Sequence, residues 1–172
     1  MNMHAKSWKK SLKEEPAVGR SDDADRLLGL LSGFMGFTAA VRENAIEEPI
    51  RDLIAVRAAQ MTGCASCLDI HVRQARIHGE HELRLHHLVA WRGSTLFGPR
   101  ERAMLAWTEV LIELAEDGIP QDIYDSIRTE LSDKEILDLS LVVLVANCWN
   151  WLNVGTGSIS GMSKTSGEPG RN

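Results

Sequence analysis

The chain is expected to be all-α, a single-domain helical bundle of about six to seven helices. Three observations predict this. Apolar residues recur at three- and four-residue intervals through most of the 172 residues. Glycine and proline fall where such segments stop and start. No stretch alternates apolar and polar residues beside a hairpin turn, so no strand is predicted.

Taken in order, residues 1–20 are polar and unpatterned, with Pro16 and Gly19 near their end, and form a flexible N-terminal arm outside the helical domain of residues 21–154. Ser21 or Asp22 can cap a first helix through Leu27, Leu31, Phe34 and Thr38 to about Glu43, weakened by Gly29, Gly33 and Gly36. Pro49 suits the start of a second, whose stripe of Ile50, Leu53, Ile54, Ala58 and Met61 ends at Gly63. A third begins near Cys64, reaches about His78 and stops at Gly79; a fourth runs through Leu83, His86, His87 and Ala90 to Gly93. Pro99 opens a long fifth helix closed by Gly118, and Pro120 a short sixth. Ser132 with Glu135 makes a capping box for the last long helix, apolar from Leu137 to Leu152. Its Leu139–Val145 stretch is rich in β-branched residues, but the cap and the unbroken length favour helix over strand. Residues 155–172 form a Gly/Ser-rich flexible tail.

Composition narrows the function. A hydrophobic content of 44% with 25% charged residues is ordinary for a globular protein, and a net charge of -5 attracts neither nucleic acid nor anionic lipid. Wholly apolar runs such as Leu141–Ala146 are far shorter than the roughly 20 residues of a bilayer crossing, so no membrane partner is expected. No apolar segment follows the N-terminal lysines as a secretory signal requires. Three cysteines, an odd number, argue for a reducing, cytoplasmic setting rather than a disulfide framework.

The chemistry concentrates in GCASCLDIH, residues 63–71. On a helix, Cys64, Cys67 and His71 fall within about 60° of one another. A cysteine in the first turn meets free backbone N–H groups and the positive end of the dipole, which favour the reactive thiolate. His71, one turn beyond Cys67, can take the thiol proton. With a peroxide, one cysteine becomes a sulfenic acid and the other condenses with it to a disulfide that an external dithiol resets. Proximity to His71 suggests Cys67 as attacker and Cys64 as the more exposed resolving thiol. A zinc site is the rival reading, but its further ligands, Asp52, His78 or His86, are fixed by no spacing.

Elsewhere the bland readings prevail. His78, His81, His86 and His87 read as solvated; Trp91, Trp107, Trp149 and Trp151 as core or oligomer contacts; Cys148 as a buried, inert thiol; Asn147 and Asn150 as hydrogen-bonding across a helix or subunit contact.

The segments IRDLIAVRAAQMTGCASCLDIHVRQARIHGE and LVAWRGSTLFGPRERAMLAWTEVLIEL, with NCWNWLNV near the end, resemble the AhpD-like alkylhydroperoxidase group of the carboxymuconolactone decarboxylase superfamily over roughly residues 27–154. The resemblance implies an all-α homo-oligomer, trimeric or larger, that reduces a small hydroperoxide through Cys64 and Cys67 with His71, using no bound cofactor but an external, lipoyl-type dithiol reductant. It places the assisting acid on Asp52, where the family generally has glutamate, and the best-known alkylhydroperoxidase members have a histidine in the place of Ser66. The shorter Asp52 is expected to lose direct contact with His71 or reach it through water. A lactone decarboxylase, which dispenses with the cysteine pair, a dithiol-exchange or redox-sensing protein, and a zinc-stabilised scaffold are the alternatives.

Overall fold

The computed structural model describes residues 22–114 and 116–155, with side chains from residue 32 onward. The expected arm, the Ser21 cap and the tail beyond Gly155 lie outside the described residues. Within them seven α-helices and one 3₁₀ stretch make the architecture all-α, with no strand.

The chain divides into two compact units, one ending at Ala39 and the other beginning at Ala40. The described part of the first is helix α1 (Asp22–Val41) up to Ala39, where the Thr38 hydroxyl donates to the Phe34 carbonyl at 2.9 Å and the Phe34 and Phe37 rings stack at 6.4 Å.

In the second unit, α2 (Glu48–Thr62) packs against α3 (Ala65–Ile77), α5 (Pro99–Glu113) and α7 (Asp133–Gly155). It is buried nearly all round, at Asp52, Leu53, Ile54, Val56, Ala58 and Ala59, which makes it the central helix and not an amphipathic surface one. Ile54 joins a core with Met104, Trp107, Ile127, Leu139 and Val143; Leu53 and Val56 join a second with Ala75, Leu88, Trp91 and Leu105. Ala59 joins a third, with the two sulfurs of Cys64 and Cys67. Burial of each large side chain is worth about 1.5–3 kcal/mol.

Two predicted helices end differently. The fourth is a short α4 (Glu82–His87), followed by a 3₁₀ stretch Leu88–Gly93 with a kink at Ala90 (φ -120°, ψ 31°). The carbonyls freed there, of Trp91, Arg92 and Ser94, are taken up by the Arg102 guanidinium at 2.8–3.0 Å. The fifth, α5, stops at Glu113, before Gly118, because Leu114 itself turns left-handed (φ 40°). α6 (Gln121–Glu130) and α7 follow as expected, and the capping box at Ser132 forms, with Glu135 Oε2 accepting from the Ser132 N–H at 2.8 Å and its hydroxyl at 2.7 Å.

Glu109 braces α2, α5 and the 3₁₀ stretch. This buried carboxylate accepts from Arg57 Nε and Trp91 Nε1, each at 2.7 Å, and from Arg92. The guanidiniums of Arg92 and Arg102 lie over the Trp91 ring. Burial pushes the Glu109 carboxyl up, but the bonds from Trp91 and Arg92 and the Arg57 charge outweigh it and hold the group below its ordinary value.

α7 departs from expectation in two ways. By length and composition alone it is apolar enough to cross a membrane, although single apolar runs within it are short. Its inner face, Leu139, Val142, Val143 and Ala146, is nevertheless buried, while Leu137, Leu144 and Trp151 form an exposed apolar stripe at seven-residue intervals. Asn147 and Asn150 are buried, and Asn147 Oδ1 and both amide side-chain atoms of Asn150 have no hydrogen-bond partner among the described residues.

Candidate active site on the α2–α3 hairpin

Gly63 sets the site. It closes α2 in the left-handed conformation (φ 68°), where L-residues are strained, and the next residue opens α3. Cys64 is the N-cap of α3, and its sulfur accepts the Cys67 N–H at 3.3 Å, with the Ser66 hydroxyl at 3.5 Å. Cys64 and Cys67 are joined by a disulfide. The cap places sulfur on a free backbone donor at the positive end of the helix, where a thiolate is favoured once the bond is reduced.

Both sulfurs are packed under Ala59 and Leu68, with Cys64 3% and Cys67 2% exposed. The expectation of a more exposed Cys64 therefore fails: the tight turn at Gly63 folds the start of α3 onto the end of α2 and covers both alike. Cys148, expected to be buried, is half-buried and free.

α2 and α3 form an antiparallel hairpin. Ala59 packs near Cys67 at the closed end, and Asp52 meets His78 at the open end, where Asp52 Oδ2 and His78 Nδ1 are 2.6 Å apart. His71 lies between. It is half-buried, and burial pushes its imidazole below the ordinary histidine value; the Asp52 charge pulls it back up and the Arg42 charge pushes it further down. The net effect leaves His71 a neutral base at pH 7. Asp52 is buried on the face it shares with Val56 and Ala59, and it acts on His71 by charge while its hydrogen bond goes to His78.

His78 is thus not a solvated histidine. Its ring sits between two carboxylates, with Nε2 3.4 Å from Glu48 Oε1 and 2.8 Å from the Gln74 amide nitrogen. The signal was legible: seven residues is close to two helical turns, so His71 and His78 share a face of α3, and Glu48 and Asp52, four apart, share one of α2. His81 caps α4 and His86 pairs with Glu82 at 3.2 Å, both outside the hairpin. Among the described residues no three His, Cys, Asp or Glu side chains converge as metal ligands.

Comparison with known proteins agrees with the all-α fold. The family model of the carboxymuconolactone decarboxylase family matches residues 29–110. The uncharacterized protein YdfG of Bacillus subtilis is 32% identical over 68% of this chain and 80% of its own. A crystal structure from Agrobacterium tumefaciens, of a protein of unknown function named for AhpD-type antioxidant defence, superposes with a TM-score of 0.73 at 31% identity, covering 76% of this chain and 90% of that one. The apo debrominase Bmp8 shares the fold (TM-score 0.71, 16% identity, 79% of this chain and 73% of that one). The chain belongs to the carboxymuconolactone decarboxylase family, as an AhpD-like member carrying the C-x-x-C pair.

Proposed function

We propose that this protein is a two-cysteine hydroperoxide reductase. The observation that carries the reading is the Cys64–Cys67 pair at the N-terminus of α3, with a neutral imidazole one turn beyond it on the same helix. In the reduced protein His71 takes the Cys67 proton. The thiolate attacks the distal oxygen of ROOH, forming an S–O bond as the O–O bond breaks; the departing alkoxide takes the proton from His71 and leaves as alcohol. Cys64 then displaces hydroxide from the sulfenic acid, closing the disulfide and releasing water. An external dithiol of the dihydrolipoyl type returns two electrons and two protons, so no bound cofactor or metal enters the cycle. Asp52 is the carboxylate that tunes His71. The reading places the protein in the cytoplasm as a trimer or larger homo-oligomer, for which the exposed Leu137, Leu144 and Trp151 stripe of α7 offers a contact face.

Two observations favour a second reading, a dithiol-exchange or redox-sensing protein. Both sulfurs are covered, and the Asp52 hydrogen bond goes to His78, which suits a disulfide that forms readily but turns over slowly.

Hydroperoxide consumption with dihydrolipoamide separates the two. Sustained turnover, abolished in Cys64→Ser and Cys67→Ser and lowered about 10²- to 10⁴-fold in His71→Ala, is expected for the reductase. One equivalent consumed per chain and then a halt would replace it with the sensor.

A further inference from the structure

We propose that Asn147 and Asn150 of α7 are the subsite that takes the –O–OH group of the hydroperoxide beside the cysteine pair. The inference deepens the reductase reading and rests on it. It begins from an anomaly in the core. Asn150 is 0% exposed and Asn147 5%, yet Asn147 Oδ1 and both amide side-chain atoms of Asn150 have no hydrogen-bond partner among the described residues. Buried polar atoms left so destabilise a fold, and apolar side chains of like shape would remove that cost. Two such residues one turn apart on one helix point to a polar ligand taken from outside the chain.

Three parallel helices locate the amides. Arg100, near the start of α5, reaches Glu47, just before α2, at 3.5 Å and Glu135, in the first turn of α7, at 2.8 Å, which sets the three starts level. Further along, Arg57 of α2 meets Glu109 of α5 at 2.7 Å, and Trp107 Nε1 of α5 donates to Ser140 Oγ of α7 at 2.9 Å, so all three run the same way. The inner stripe of α7 is apolar at Leu139 and Val143, which share a core with Ile54, and turns polar at Asn147 and Asn150, one and nearly two turns further on. The matching continuation of α2 beyond Ile54 is Ala58, Ala59 and Thr62, its last turn. Ala59 packs on Cys64 and Cys67, and α3 packs against α7. The amides therefore stand level with the closed end of the hairpin, where the sulfurs are. Neither alanine offers them a polar side chain, and the Thr62 hydroxyl is engaged within its own helix, on the Ala58 carbonyl at 2.8 Å.

The chemistry of a carboxamide suits a hydroperoxide. ROO–H carries one donor and two acceptor oxygens, and the amide presents an acceptor and a donor side by side. Oδ1 of Asn147 or Asn150 accepts from the peroxide hydroxyl, and Asn150 Nδ2 donates to the oxygen that bears R. When the Cys67 thiolate attacks the distal oxygen, an S–O bond forms, the O–O bond breaks, and its electron pair goes to that inner oxygen. The amide N–H then faces a developing alkoxide, which it holds more strongly than the neutral peroxide. The proton still comes from His71, and the alcohol leaves. Because an amide neither gains nor loses a proton, it binds without competing with His71 for one. The structure holds the disulfide, the state reached after the peroxide has reacted, and the amides are closed in accordingly.

The test reduces the full chain and follows oxidation of its cysteine pair in a single turnover, with cumene hydroperoxide in one arm and diamide in the other. Diamide makes the same disulfide without an O–O bond, so it reports access to the thiols alone. Asn150→Leu keeps the branched shape and removes both polar atoms; Asn150→Ala repeats the measurement without crowding the core. Both should lower the hydroperoxide rate about 10²-fold, and Asn147→Leu about tenfold, with diamide rates within about twofold of wild type. A hydroperoxide rate unchanged in the Asn150 variants overturns the inference and leaves the reductase reading standing. An equal fall with both oxidants also overturns it, since that is the result of amides that only hold a packing water. A wild type that diamide oxidises and hydroperoxide does not overturns the reductase reading, and the inference with it.

Discussion

Two buried carboxylates, Glu109 and Asp52, stand on neighbouring helices and differ in the partners they are given. Glu109 is met by arginine guanidiniums and an indole N–H, donors whose protonation does not change in any ordinary solution. Asp52 is met by imidazole, directly at His78 and by charge at His71. The first arrangement fixes a charge permanently and holds three segments together. The second leaves the charge adjustable, which suits chemistry in which a proton must move. Both sites satisfy a carboxylate in an apolar interior, and the identity of the cation decides whether the result is a brace or a relay.

The contrast breaks most severely at Glu109. Glu109→Gln leaves the half-buried Arg57 without its counter-charge and should cost about 3–5 kcal/mol in denaturant unfolding, with little change in the His71 titration. Asp52→Asn should do the reverse. Removing the charge that raises His71 should lower the His71 pKa further and cut peroxide turnover about ten- to a hundredfold, with a smaller loss of stability; equal effects of the two changes on stability would erase the distinction. Gly63→Ala meets open space, so only backbone strain is added: about 1–2 kcal/mol, measurable as a lower Tm. The smallest effect belongs to a carboxylate at the surface. Glu135 is depressed from 4.5 to about 2 by Ser132 and Arg100, so its stabilisation of α7 is present above about pH 4.5 and lost as pH falls toward 2; Glu135→Gln should flatten that part of an acid-unfolding curve.

Much of this was legible in the sequence. Gly63 before Cys64, Pro49, and the Ser132–Glu135 box are local signals, read from a few adjacent residues, and they located the turn and helix ends that form the site. Asp52 was legible as inward-facing because Val56 and Ala59 share its side of α2. What the sequence concealed is register between elements. Periodicity puts His71 and His78 on one face, but only the pairing of α2 with α3 decides that the Asp52 hydrogen bond goes to His78. Glu109 was hidden for the same reason: its partners Arg57, Trp91 and Arg92 come from two other segments, and no spacing along the chain links them.

The covered disulfide has a kinetic consequence. A reductant has little access for an S–S transition state to cysteines that are 2–3% exposed under Ala59 and Leu68. The rate of reduction by a small dithiol should therefore rise with dithiol concentration only until it meets the rate at which the end of the hairpin opens, and should then stay constant whatever the reagent. Below that ceiling the dithiol's chemistry sets the pace of recycling, and above it the protein's own breathing does.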